Sequence, residues 1–138
     1  MSDTAGEVIA PADAAFVEAT HALLDRILDT AAHVGDEDRM LFRLAVSEVA
    51  TNIIDHARSR EPIEVGVVVR VTGTELNAVF TDNADPALID LENIDMPGAD
   101  AESGRGLAIA LATLDELTRS TAEGSTGNTW TLRRTIRP

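Results

Sequence analysis

The stretch from Met40 to Ala57 carries a helical pattern of apolar residues, and what this helix can pack against constrains the rest of the chain. At about 100° per residue, one face collects apolar side chains: Phe42, Val46, Val49, Ala50, Ile53 and Ala57, widened at the start by Leu41, Leu44 and Ala45. The same side then carries Glu48 and Asn52, with Asp55 and His56 just beyond. A helix that turns polar on its packed side either runs out into solvent or borders a site. The pattern alone leaves both open.

The composition sets the class of protein. The length predicts a single domain over residues 1–138, and a hydrophobic content of 44% is enough to bury a core. The absence of cysteine excludes disulfides, thiolate zinc sites and cysteine nucleophiles, and is typical of a reducing compartment. A net charge of −13 repels phosphates, which argues against direct binding of nucleic acid.

No segment of the sequence resembles a membrane or export signal. The N-terminus lacks the basic start and apolar core of a signal peptide, and no apolar run reaches the roughly 18 residues of a membrane span. We therefore expect a soluble, cytoplasmic protein without membrane contact.

Periodicity and turn residues predict the order βααββ, a loop, and αββ. The predicted strands cover 4–10, 63–71, 75–81, 117–122 and 128–136, the helices cover 14–32, 40–57 and 107–117, and an irregular acidic loop covers 87–103. Strands that come in pairs rather than in strict alternation with helices favour an α+β fold. We expect a two-layer α/β sandwich, with the helices on one face of a mixed, mainly antiparallel sheet.

Three groups of residues could carry chemistry. Asn52 offers the hard oxygen that Mg²⁺ prefers, and Glu48, one turn earlier, could orient or deprotonate a hydroxyl. Asp82, at a predicted strand end, could accept a hydrogen bond from an exocyclic amine such as that of adenine. Gly104 and Gly106 precede a helix, where close backbone approach and free N–H groups favour a phosphate.

The order of these groups resembles a known family. The segment 48–57, EVATNIIDHA, resembles the N box of the anti-sigma-factor serine/threonine kinases, which belong to the superfamily of gyrase, Hsp90, histidine kinases and MutL (GHKL). Segment 82–86, DNADP, matches the position of the first glycine box, and 104–107, GRGL, matches the second. The tail 127–132, GNTWTL, resembles the closing strand. The similarity runs over residues 10–136.

This resemblance implies a Bergerat-type ATP site. By analogy, Asn52 would coordinate Mg²⁺, Asp82 would bind the adenine amine, and Glu48 would accept the proton of a partner serine or threonine. The loop 87–103 would form a lid. The remaining residues implied to line the nucleotide are Asp55, His56, Ala84, Gly104, Arg105, Gly106, Leu107 and Thr129. His56 has an alternative role as a helix C-terminal cap favoured by the helix dipole.

The implied function is partner switching. An anti-sigma factor of this type phosphorylates an anti-anti-sigma factor (STAS-type) with ATP, sequesters a sigma factor, and forms a homodimer. One departure supports a second hypothesis: Ala84 and Pro86 stand where the family has two glycines in its first box. The alternative is therefore a partner-binding module of the same fold that binds ATP weakly or has lost catalysis.

Overall fold

The computed structural model describes residues 3–56, 62–84, 102–121 and 127–137. Within these ranges the elements are β1 (Thr4–Pro11), α1 (Ala14–Asp29), α2 (Asp36–His56), β2 (Glu64–Val71), β3 (Glu75–Asp82), α3 (Glu102–Thr113), β4 (Glu116–Ser120) and β5 (Asn128–Thr135). The strands form one open sheet in the order β1-β2-β3-β5-β4, and every neighbouring pair is antiparallel. The predicted α+β class and order of elements are confirmed.

The core lies between the three helices and one face of the sheet. Burial alternates along the central strands, as expected when one face is covered and the other is not. The covered face carries Val65, Val67, Val69, Leu76, Ala78, Phe80, Trp130 and Leu132, all at most 2% exposed. From α1, Phe16 meets Phe80 edge to face, with ring centroids 6.2 Å apart.

Helix α2 buries the face that its periodicity predicts. Phe42, Ala45, Val46, Val49, Ala50 and Ile53 are at most 5% exposed, while Ala57 lies outside the described residues. The inclusion of Leu44 in that face was wrong, because Leu44 is 37% exposed. Its position, about 200° around the helix from Phe42, turns it away from the sheet.

Arg134 ties three elements together at one end of the molecule. Its Nε donates to Oδ1 of Asp38 at 2.8 Å, and its Nη1 donates to the carbonyl oxygen of Thr113. The other oxygen of Asp38 accepts from the backbone N–H of Arg137 at 2.8 Å. Asp38 and Arg134 are both nearly fully buried. The start of α2 and the end of α3 therefore meet at the end of β5, and the two helices run antiparallel.

Arg39 fixes the connection between α1 and α2. Its guanidinium donates to the carbonyl oxygens of Leu28, Ala31 and Val34, at 2.6–2.8 Å. These carbonyls belong to the last turn of α1 and the segment after it, where those of Leu28 and Ala31 also accept from the backbone N–H groups of Ala31 and Val34. The entry angle of α2 is thereby set by its own first turn.

The limits of α3 differ from the prediction of residues 107–117. The helix begins at Glu102, so Gly104 and Gly106 lie inside it rather than in a loop before it. It ends at Thr113 because Glu116–Ser120 pair with β5, and this pairing outweighs the helical preference of the local sequence. Of the predicted lid 87–103, Glu102 and Ser103 are helical, and the residues before them lie outside the described ranges.

None of the helices in the described ranges combines the length and the apolar character that a bilayer span requires.

Candidate functional site

Two groups of predicted site residues lie at the same end of the sheet. From the Asp38–Arg134 ion pair, α2 reaches Asn52 after 14 residues, or about 21 Å at 1.5 Å per residue. From the same ion pair, β5 reaches Asn128 after six residues, or about 20 Å at 3.3 Å per residue. Asn128 pairs in register with Asp82 at the end of β3. The C-terminal half of α2 and the carboxylate of Asp82 therefore converge at the Asp82 end of the sheet.

Asn52 has a buried oxygen without a partner. The residue is 6% exposed, and its Oδ1 accepts no hydrogen bond from any group in the described ranges. Leaving such an oxygen unpaired costs about 1–3 kcal/mol. A hard amide oxygen held in this way is a fitting ligand for Mg²⁺, which favours oxygen ligands and retains water and phosphate oxygens around it.

A metal at Asn52 would depend on ligands from outside the protein. The described part of the chain contains no group of three or more histidine or acidic side chains that could hold an ion by itself. Mg²⁺ commonly binds through one or two protein oxygens plus the phosphates of its nucleotide. The donor set present at Asn52 fits that kind of shared site rather than a protein cage.

Glu48 faces α3 and lies against Gly106. An ideal Cβ built on Gly106 would overlap Oε2 of Glu48 and would stand 3.3 Å from its Cδ. Glu48 itself is half-buried. The preceding residue, Ser47, points to the other side of α2, where its hydroxyl is 2.6 Å from Nε2 of His21 on α1. The carboxylate of Glu48 is therefore presented at the α2–α3 contact.

Asp82 is oriented by a tight turn that ends β3. Its Oδ1 accepts from the backbone N–H of Ala84 at 2.9 Å and from Nδ2 of Asn128 at 3.0 Å. Its Oδ2 accepts no hydrogen bond from the described residues. One carboxylate oxygen is thus fixed by the protein, and the other accepts no hydrogen bond from the described residues, while the role of Asp82 in binding adenine stays a prediction.

Ala84 fits the turn without a glycine. The residue is buried, and its carbonyl oxygen accepts from the N–H of Gly127 at 2.9 Å. No non-glycine residue in the described ranges has a positive φ, so the backbone at Ala84 makes no demand for glycine. The position that requires glycine is Gly127, because its φ is +112° and a Cβ there would lie 2.7 Å from the carbonyl oxygen of Asp82.

Asn128 is a site residue that the motif comparison missed. It is 5% exposed and shares the covered face of the sheet with Trp130, whereas Thr129 lies on the opposite face and pairs with Thr81. The alternation of β5 was a usable signal, because Asn128 is in phase with the apolar Trp130 and Leu132. The side chain that supports Asp82 is therefore that of Asn128, and the side chain of Thr129 is not brought to this group.

The other predicted residues are spread around the α2–α3 end. The Nδ1–H of His56 donates to the carbonyl oxygen of Asn52 at 3.0 Å, which is the helix-capping role named as its alternative. Asp55 is exposed on the last turn of α2. Leu107 is 2% exposed and belongs to the hydrophobic core, so only its backbone could meet a ligand. Gly104 and Arg105 lie in the first turns of α3.

Within the described ranges, the ionisable groups with clearly shifted pKa values lie at the opposite end of the molecule. The backbone N–H of Thr135 and the guanidinium of Arg137 hold the pKa of Asp115 below its usual range. Asp115 in turn raises the pKa of Arg137. These groups follow α3 and β5 near Thr113 and Arg134, so their charge pairing supports the fold rather than the candidate site.

Comparison with known proteins gives the family. The family model of the histidine kinase-like ATPase domain matches residues 10–134. The chain belongs to this family. It is thus a kinase-like ATPase domain of the GHKL class, for which nucleotide binding is implied and Mg²⁺ is typical.

A solved structure carries the same fold. The histidine kinase domain from the Erythrobacter litoralis EL346 blue-light activated histidine kinase superimposes with a TM-score of 0.57 at 23% sequence identity. The match covers 84% of this chain and 60% of that one, so the chain spans less than two thirds of its structural relative. A search of curated proteins finds no match.

Proposed function

We propose that this chain is an ATP-dependent serine/threonine protein kinase that acts as an anti-sigma factor. It phosphorylates an anti-anti-sigma factor of the STAS type and sequesters a sigma factor by partner switching. The observation that carries the nucleotide part is the buried, unpartnered Oδ1 of Asn52 in a domain of the ATPase family. The choice of serine/threonine chemistry and of partners is supported by the resemblance of segment 48–57 to the N box of anti-sigma-factor kinases.

The described side chains divide the work of phosphoryl transfer. Mg²⁺ would be held by Asn52 and would neutralise phosphate charge when bound. Oδ2 of Asp82 accepts a hydrogen bond from the adenine amine. Glu48 takes the proton of the attacking hydroxyl as the new O–P bond forms and the bond between the γ-phosphorus and the bridging oxygen breaks, which leaves ADP.

The organisation of the protein is part of the proposal. We propose that residues 1–138 act as one cytoplasmic domain, that two copies form a homodimer, and that neither nucleic acid nor membrane is a partner. The net charge of −13 supports recognition of a basic partner surface, because opposite charges speed association and select the partner.

A second function is favoured by Ala84. Its methyl group occupies a buried position in the turn next to Asp82, where the family has a glycine. A binding module of the same fold, with weak or absent catalysis, is the alternative that this side chain supports.

The test begins with nucleotide binding. Isothermal titration calorimetry of the protein with ATP, with and without Mg²⁺, is expected to give binding that Mg²⁺ strengthens. The kinase and the binding module are then separated by incubation with γ-labelled ATP and cognate antagonist proteins. Label on a serine or threonine supports the kinase. Nucleotide binding without transfer to any antagonist supports the binding module, and the absence of binding overturns both.

A further inference from the structure

Binding of a phosphate does not explain why residue 106 is a glycine. Only the first four N–H groups of a helix lack a helical partner. With α3 beginning at Glu102, Gly106 is the fifth residue, so its N–H points to the carbonyl of Glu102. Glycine inside a helix costs about 0.5–1 kcal/mol relative to alanine. Some other constraint must therefore oppose alanine at this position.

That constraint is the side chain of Glu48. A Cβ on Gly106 would overlap Oε2 of Glu48 and would lie 3.3 Å from Cδ and 3.7 Å from Cβ of the same residue. Gly106 is buried, and Glu48 supplies all three of the nearest atoms at this point. The whole length of the Glu48 side chain therefore lies along the bare backbone of α3.

We infer that Gly106 is a positioning residue for Glu48: its missing side chain lets the carboxylate lie against α3, and this contact sets where the carboxylate is held. The role of Glu48 as the catalytic base rests on the proposed function, whereas the contact between Glu48 and Gly106 is independent of that function.

The size of the effect follows from the overlap. To reach ordinary contact with an alanine methyl, the carboxylate oxygen must move by about 1 Å. The atom that moves is the far end of a flexible side chain, so the cost to folding is small, and the helix gains propensity from alanine. A catalytic group displaced by about 1 Å loses on the order of 10²-fold in rate. Gly106→Ala should leave the fold intact and spoil the placement of Glu48.

The first experiment separates position from phosphate binding. Gly106→Ala is compared with Gly73→Ala, whose glycine has open space around it in the turn between β2 and β3. We expect Gly106→Ala to lower kcat of phosphate transfer about 100-fold, with ATP affinity and melting temperature close to those of Gly73→Ala. Glu48→Asp, which draws the same carboxylate back by one methylene, should cost a similar factor, and the double variant with Gly106→Ala should lose little more, because both changes displace one group. A direct phosphate role gives loss of ATP affinity and losses that add, which would overturn the inference.

The second experiment needs no activity. In nucleotide-free protein labelled with ¹³C-glutamate, the Cδ resonance of Glu48 is assigned by its disappearance in Glu48→Gln. We expect this resonance to shift in Gly106→Ala and to stay unchanged in Gly73→Ala. An unshifted resonance refutes the positioning role. A shifted resonance in a protein that transfers no phosphate to any partner leaves the positioning role in place and removes the kinase proposal.

Discussion

Replacing Asn52 with leucine should stabilise the free protein. Leucine has a similar volume, and it removes a buried oxygen that accepts no hydrogen bond from the described residues. An unsatisfied group of this kind costs about 1–3 kcal/mol, of which we expect leucine to recover about 1–2 kcal/mol. For a chain of 138 residues, 1 kcal/mol corresponds to roughly 3–4 °C in Tm, so the variant should melt about 3–8 °C higher.

Nucleotide should reverse that order. A ligand at about 100 times its Kd stabilises the native state by about 2.7 kcal/mol. We expect the wild type to gain this amount with Mg²⁺ and ATP, and Asn52→Leu, which lacks the proposed metal-binding oxygen, to gain little. Wild type then becomes the more stable of the two by about 1 kcal/mol.

Calorimetric melting with and without Mg²⁺ and ATP measures both effects in one series. Thr51→Ala, an exposed neighbour on the same helix, is the control and should stay within about 0.5 kcal/mol of wild type in both conditions. The reasoning fails if Asn52→Leu melts below wild type without nucleotide. It also fails if both proteins gain equally when nucleotide is added.

Three further outcomes follow from other contacts. Asp38→Ala leaves the buried guanidinium of Arg134 unpaired and should cost about 3–5 kcal/mol in urea unfolding, while Asp38→Asn, which keeps acceptor capacity, should cost less. Asp82→Asn keeps one oxygen for the turn but presents an amide N–H₂ in place of the second oxygen. The affinity for ATP, measured by calorimetry, should fall at least about tenfold, with Tm nearly unchanged. An affinity equal to that of the wild type would remove Asp82 from adenine recognition. The pKa of Asp115 is depressed, first by the Thr135 N–H, so its carboxylate stabilises the fold above the unfolded pKa of about 3.9, and this stabilisation is lost as pH falls through the folded pKa. The difference in unfolding free energy between wild type and Asp115→Asn should therefore shrink in acid. A difference that does not depend on pH would contradict this explanation.

The sequence was most informative where a repeating pattern meets one packing surface. The buried face of α2 follows from its helical period of about 3.6 residues, and the α+β class was predicted from strands that come in pairs between the helices. The ordered motifs singled out Asn52, which has a buried oxygen without a partner among the described residues, and Asp82, which is held by the turn after β3; their roles stay predictions. These are local patterns, each readable within one element.

What the sequence concealed depends on distant pairing. The sequence predicted a strand over 117–122, but not that α3 would end at Thr113 and that the pairing with β5 would begin at Glu116. Asp38 and Arg134 are 96 residues apart in the sequence, and no local pattern around either residue predicts that they form an ion pair. The relation of Gly106 to Glu48 is of the same kind: the motif names a phosphate residue, while the space around it belongs to a side chain on another helix.

The Asp38–Arg134 ion pair is a joint that holds the start of α2 to the end of α3. Glu48 lies ten residues along α2 from that joint, or about 15 Å away. A rotation of only about 4° at the joint would carry Glu48 through about 1 Å, the displacement at which catalytic groups lose most of their effect. The precision of the proposed chemistry therefore depends on an ion pair that touches neither nucleotide nor substrate.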